Sequence, residues 1–240
     1  MKFAVQLYSL REKVEKEGIE SVIQTIAKAG YDGVEFAGFY GYTPVEMSSL
    51  IQKYGLTPIS MHCGVKDVEE NLPFIDKLNI KNVFVAYEPK VRFDDEENFK
   101  KLLSDFEKAH KLLAPRGVTL GYHNHAHEFE DGKDRMKQLL LALPYLKAEP
   151  DVCWLTVAGK NAASYLDELG EKLVLVHIKE VAQKDTGEAI IGEGKVDMRG
   201  VFTQMKKKDV KWAILEAEHI TCNVDEYLSH SLKYMKNFLK

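Results

Sequence analysis

The 240-residue chain has no apolar run approaching the 18 or so residues that a bilayer-spanning helix needs, so a helical membrane protein is excluded. It has only three cysteines, Cys63, Cys153 and Cys222, an odd number set far apart. A disulfide framework is therefore not expected, and a reducing, cytoplasmic setting is. The first strand-like run, Phe3 to Leu7, follows Met1 almost directly, with no charged and apolar secretory pattern ahead of it. Arginine is scarce, at five residues, and the formal charge is −4, so neither a nucleic-acid groove nor a bidentate phosphate clamp is expected. The Lys206–Lys208 run reads as a solvated helix end. The phosphate-cradling motifs are missing too. Tyr8-Ser9-Leu10-Arg11 follows the first strand in place of G-x-G-x-x-G, and no G-x-x-x-x-G-K-[ST] occurs.

With 45% hydrophobic and 29% charged residues and no low-complexity linker, the sequence supports one large core, and residues 1–240 are read as a single domain. Short β-branched runs alternate with longer amphipathic stretches. Strands are expected near Phe3–Leu7, Gly33–Phe36, Thr57–His62, Asn82–Ala86, Val118–His123, Ala148–Trp154, Leu173–Ile178 and Trp212–Ala217. Their spacing of roughly 30 residues is that of one strand-helix unit. Between them Ile19, Val22, Ile23, Ile26 and Ala27 share one helical face, as do Leu102, Leu103, Phe106, Ala109 and Leu113. Gly30, Gly55 and Gly117 read as helix stops, and Pro44 and Pro73 as residues near helix starts. Eight units in this length imply a closed (β/α)₈ TIM barrel of the α/β class rather than an open doubly wound sheet.

Six of these strands finish in a group that binds metals or moves protons: Glu35, His62, His123, Asp151, His177 and Glu216. In a barrel the C-terminal strand ends converge on one mouth, so residues far apart in sequence become neighbours where such enzymes place their chemistry. Mixed carboxylate and imidazole donors suit Mn²⁺, Zn²⁺, Co²⁺ or Fe²⁺. Burying so many charges together without a cation would be costly.

The ordered segments Gln6-Leu7-Tyr8-Ser9, Gly33-Val34-Glu35-Phe36, Met61-His62, Tyr122-His123-Asn124-His125, Pro150-Asp151-Val152, His177-Ile178-Lys179-Glu180 and Leu215-Glu216-Ala217-Glu218 resemble the xylose isomerase-like barrel superfamily. More narrowly, they resemble its sugar phosphate isomerase/epimerase branch, which includes ketose 3-epimerases and inosose dehydratase. The resemblance implies one divalent metal, commonly manganese, with zinc or cobalt as alternatives. In the family the ion is held by a glutamate, an aspartate, a histidine and a glutamate at strands five to eight. Three of these carry over to Asp151, His177 and Glu216. At the fourth position the chain has His123, an imidazole in place of the carboxylate, and His125 is either a support for it or the substitute ligand. The resemblance also implies a homo-oligomer.

A metal-bound imidazole has no free lone pair to act as the second base of an epimerase. Glu216 is then the expected proton acceptor, with a partner from Lys179, Glu180, Glu218, His62 or Glu35. Lys179, two residues beyond His177, faces the same side of the strand and suits an oxyanion or proton donor. Glu35, His125, Tyr8, Trp154, Glu193 and Glu218 are expected at the substrate, with Phe36, Phe39 and Tyr87 at the aromatic wall; core packing competes for Phe36 and Trp154. Tyr40 and Tyr42 are expected to bound the pocket or a partner subunit. His127 and Glu128 read as solvated loop polarity, and the glycine-rich segment from Asp185 to Lys195 as a lid. The function expected is a sugar isomerase or epimerase acting on a small keto-sugar or related polyol carbonyl compound through an enediolate. A dehydratase of the inosose type is the main alternative. An endonuclease IV-like phosphodiesterase or an inactive sugar-binding barrel fits less well.

Overall fold

The structure, a computed structural model, describes residues 1–184, 187 and 189–239. Asp185, Thr186 and Glu188, in the segment expected to form a lid, lie outside the described residues. Eight parallel strands form one sheet: β1 Lys2–Gln6, β2 Gly33–Phe36, β3 Thr57–Cys63, β4 Asn82–Val85, β5 Thr119–His123, β6 Lys147–Glu149, β7 Val176–Ile178 and β8 Trp212–Leu215. Their order is β6-β5-β4-β3-β2-β1-β8-β7. The outer strands β6 and β7 meet through the bridges Ala148–Leu173 and Asp151–His177, which complete the ring of a TIM barrel. Across that seam the backbone N–H of Val174 donates to the Ala148 carbonyl at 3.1 Å and that of His177 to the Pro150 carbonyl at 3.0 Å.

Helices pack outside because their sequences present one apolar stripe each. Ile19, Val22, Ile23 and Ile26 of helix Ile19–Ala29 are buried, as are Leu102, Phe106, Ala109 and Leu113 of helix Glu96–Leu113. Gly30, Gly55 and Gly117 take positive φ (+89°, +69° and +64°), which glycine adopts without a Cβ clash, and so end helical segments as their sequence suggests. Pro44 opens helix Pro44–Tyr54 behind a Thr43–Glu46 capping box. Pro73 departs from its expected place near a start, for it sits inside helix Val68–Leu78. Among the described residues no helix is long and apolar enough to cross a membrane.

Two strand boundaries differ from the sequence reading by three or more residues. The sixth strand stops at Glu149 rather than running to Trp154, because Asp151 caps a new helix, Val152–Val157, accepting the Trp154 N–H at 2.9 Å. The seventh begins at Val176, leaving Leu173 in an isolated bridge.

Alternation along the strands layers the lumen. The lower layer is an apolar plug of Ala4, Ile59, Phe84, Leu175 and Ile214, all buried. Gly121 makes room for it, since a Cβ there would lie 2.2 Å from the Phe84 ring. Two residues further along these strands, from Ala4 to Gln6, Gly121 to His123, Leu175 to His177 and Ile214 to Glu216, the lumen turns polar. Gln6, His123, His177 and Glu216 are all buried at that level.

Candidate metal centre and active site

The bridge between Asp151 and His177 sets two donors side by side at the seam, and β5 and β8 bring His123 and Glu216 beside them. Each of these four residues offers a ligand atom within 4.8 Å of the others. Asp151 is held by both of its neighbours: its N–H donates to Asn124 Oδ1 at 3.1 Å, and its Oδ1 caps the following helix. That leaves Oδ2 buried with no hydrogen-bond partner, and His123 Nδ1 is in the same state. Buried ligand atoms without hydrogen-bond partners are a mark of a cation site, and a cation held by these residues would supply a partner.

The buried carboxylates and imidazoles share charge, and His177 would release a proton on binding a cation. Burial pushes the Asp151 carboxyl up to about 7. Burial also drives His123 well below the ordinary imidazole range, so it is neutral and keeps a lone pair for coordination. For His177 burial acts downward, but Glu149, Glu216 and Glu35 outweigh it and raise the ring well above its usual value. Glu216 goes the other way: burial would raise it, yet His177 beside it holds it well below the carboxylate range.

His177 lies between two carboxylates. Its Nδ1 contacts Glu216 Oε2, and its Nε2 lies 2.6 Å from Glu35 Oε1. Glu35 also accepts the Gln6 amide at 2.7 Å and lies 3.3 Å from His62 Nε2. Burial would raise Glu35, but the two imidazoles bring it down to about 2. Glu35, expected at the substrate, is fully buried beneath the mouth, so the structure moves it from the pocket wall to the support of His177. A carboxylate behind a ligating histidine fixes which nitrogen carries the proton.

Above these donors a cavity of about 220 Å³ opens to solvent, lined by Gln6, Tyr8, Ala37, His62, Ala86, Tyr87, His123, His125, Glu216 and Glu218. Tyr8 and Tyr87 are 42% and 55% exposed, so aromatic faces are open beside the mouth. His125 packs edge-on to Tyr87, and burial lowers its ring to about 4. Lys179 is almost fully buried, 2.5 Å from Glu218 Oε1 and 4.3 Å from the centre of the Trp154 ring. A larger groove of about 300 Å³ lies alongside, between Lys13, Lys16, Glu17 and Asp225. It contains none of the four donors.

Other sequence expectations fall elsewhere. Trp154 lies on the helix after β6, behind Lys179 and His125, and is not part of the cavity wall. Glu193 is exposed and takes no part in the cavity. Its neighbours are drawn down by Glu180, whose carboxylate accepts the N–H groups of Val181, Gly192 and Val196. Ile191 is buried, and its carbonyl meets His230 at 3.2 Å. The described part of the expected lid is thus tied to the protein body. Phe36 is core, and Phe39 stacks on Phe74 at 3.7 Å. Tyr40 and Tyr42 also pack against the core. Glu128 is not a solvated loop residue: it is fully buried, accepting from Tyr122 Oη at 2.7 Å and from His125 N–H at 2.8 Å, while His127 Nε2 meets the Glu88 carbonyl at 2.9 Å.

Sequence reasoning missed two residues. Glu149 is fully buried, with Oε2 2.6 Å from His62 Nε2, and Gln6 orients Glu35. Glu149 stands two positions before Asp151, so period-2 alternation from Asp151 would have found it had the sixth strand been ended correctly. Gln6 carries no charge, so a pattern of chargeable strand ends does not include it.

Comparison with known proteins agrees with this architecture. Inosose dehydratase from Clostridium beijerinckii is 23% identical over 173 residues, which span 62% of this chain and 57% of that enzyme. A sugar phosphate isomerase/epimerase from Parabacteroides distasonis shares the fold with a TM-score of 0.81 at 21% identity, covering 100% of this chain and 96% of the other. D-psicose 3-epimerase from Clostridium cellulolyticum, solved with D-tagatose, superposes with a TM-score of 0.77 at 13% identity over 100% of both chains. Residues 23–238 match the family described as xylose isomerase-like TIM barrel, and the chain belongs to that family.

Proposed function

We propose that the chain is a cytoplasmic, divalent metal-dependent enzyme that moves a proton next to the carbonyl of a small polyhydroxylated ketone, as a sugar isomerase or epimerase. The carrying observation is the convergence of His123, Asp151, His177 and Glu216 within 4.8 Å under a sugar-sized cavity, with buried donor atoms left unpartnered. When bound there, a divalent ion, manganese by the resemblance, would polarise a carbonyl and its neighbouring hydroxyl and acidify the C–H between them. Glu216 remains a carboxylate because His177 stabilises its charge, and it lines the cavity, so it is the base that takes this proton. Asp151, His123 and His177 hold their positions through Asn124, β5 and Glu35 respectively. Lys179 keeps its charge: burial acts against it, but Asp151, Glu216 and Glu218 more than compensate. It is set to stabilise oxygen charge as the enediolate forms.

One observation favours a second reading, a dehydratase. His123 replaces the carboxylate that would supply a second base, leaving Glu216 as base and Lys179 as a cationic acid. Removal of a carbon-bound proton by Glu216 and delivery of a proton from Lys179 to a departing β-hydroxyl would release water and form a carbon–carbon double bond. This single-base arrangement suits elimination as well as isomerisation.

The test is a screen of keto-sugars, inososes and 3-keto-glycosides with manganese-loaded protein in D₂O, beside Glu216→Gln. Solvent deuterium incorporated without loss of water supports isomerisation, and a product absorbing in the ultraviolet supports elimination. Glu216→Gln should lower turnover by roughly 10²–10⁴-fold. Unchanged turnover removes Glu216 from the chemistry.

A further inference from the structure

The segments that follow β1 and β8 each put a side chain on the cavity wall, Tyr8 and Glu218. The pairing of β1 with β8 ends at Val5 and Leu215, short of both. Side chains join the segments instead. Ser9 Oγ accepts the Ala217 N–H at 2.9 Å, and Arg11 ties the two wall residues to each other. Its Nη1 donates to the Tyr8 carbonyl at 3.0 Å, and its Nη2 to the Glu218 carbonyl at 2.6 Å. Its guanidinium carbon also lies 4.1 Å from the centre of the Tyr8 ring. We propose that Arg11 is a positioning residue for the reaction proposed above, on which this inference rests: it fixes Tyr8 and Glu218 at the mouth and, through Glu218, the Lys179 ammonium.

Arg11 opens the helix Arg11–Glu17, whose other charged residues include Glu12, Glu15 and Glu17, yet its fork goes to two backbone carbonyls of the mouth. A planar guanidinium fixes its donors relative to each other, so it holds two carbonyls at a set separation, which the single rotating ammonium of a lysine does not. Its contact with the Tyr8 ring adds a cation–π attraction that orients the aromatic face beside the cavity. The consequence for chemistry passes through Glu218. Its Oε1 lies 2.5 Å from Lys179 Nζ, and that ammonium lies 4.3 Å from the centre of the Trp154 ring. Arg11 reaches Tyr8 and Glu218 rather than any of the four metal donors, so the ion should be held without it.

The test compares manganese-loaded native protein with Arg11→Lys, circular dichroism verifying that each variant is folded. In a Trp212→Phe background Trp154 is the one remaining tryptophan, and Arg11→Lys should shift its emission by displacing the ammonium beside it. With Lys179→Met also present, Arg11→Lys should leave the emission unchanged. On the keto-sugar that the native protein exchanges fastest in D₂O, Arg11→Lys should lower kcat/KM by roughly 10–100-fold with Mn²⁺ affinity unaltered. Added to Glu218→Ala, it should lower kcat by less than about threefold further, because the route to Lys179 is already cut. Native turnover that Arg11→Lys leaves intact overturns the role of Arg11 alone, and the proposed function stands. A kcat loss of the same size with and without Glu218→Ala also overturns it, since Arg11 would then act on the fold rather than through Glu218. Absence of exchange by the native protein on every keto-sugar overturns the proposed function, and the emission then decides the linkage from Arg11 to Lys179: a shift supports it and an unchanged spectrum overturns it.

Discussion

The two ends of the barrel lumen are built from the same strands and obey opposite rules. At the lower end Ala4, Phe84, Leu175 and Ile214 interlock as an apolar plug, and Gly121 gives up its side chain so that Phe84 fits. Two residues onward the strands present Gln6, His123, His177 and Glu216, with unpartnered oxygens and nitrogens among the groups around them. Close packing stabilises the first end. The second gathers buried charge that packing alone would not favour, and a fold retains such a cluster where it performs chemistry.

This contrast can be broken at either end. Phe84→Ala should cost about 3–5 kcal/mol of stability by denaturant unfolding, because it empties the plug while leaving the metal donors in place. A loss below about 1 kcal/mol would mean the lumen is not a packed core. Glu35→Gln sharpens the other side. It should weaken metal binding roughly 10–100-fold by calorimetry, since His177 loses the charged acceptor that orients it. Unchanged affinity would make Glu35 a bystander.

The smallest effect is that of pH. Burial raises the Asp151 carboxyl to about 7, so below that value the metal-free protein holds a proton that the cation must displace. Affinity should therefore fall as the solution is acidified, by roughly tenfold per pH unit for each proton released. A flat profile from pH 8 to 5.5 would argue that Asp151 is not a ligand.

Much of this was legible in the sequence because a barrel converts strand ends into neighbours. The eight strands sit where alternation puts them, and Asp151, His177 and Glu216 are strand-end residues whose meeting follows from ring closure. What alternation could not show is depth. Glu35 ends its strand as His123 does, yet it lies under the rings of His62 and His177 rather than at the pocket wall. Trp154 was lost to local chemistry, since the Asp151 cap turns the chain into a helix before it. Glu193 stands in a glycine-rich setting that suggests a lid, whereas the tether through Glu180 that holds its neighbours is a long-range contact with no local pattern.

The proposed chemistry depends on four side chains sharing an ion, and calorimetric titration of the metal-stripped protein with Mn²⁺, native sequence against Asp151→Asn, tests that most directly. Saturable binding that the substitution weakens at least 100-fold, with the fold unchanged by circular dichroism, is the result predicted. Equal binding by both proteins, or none by the native one, would contradict it.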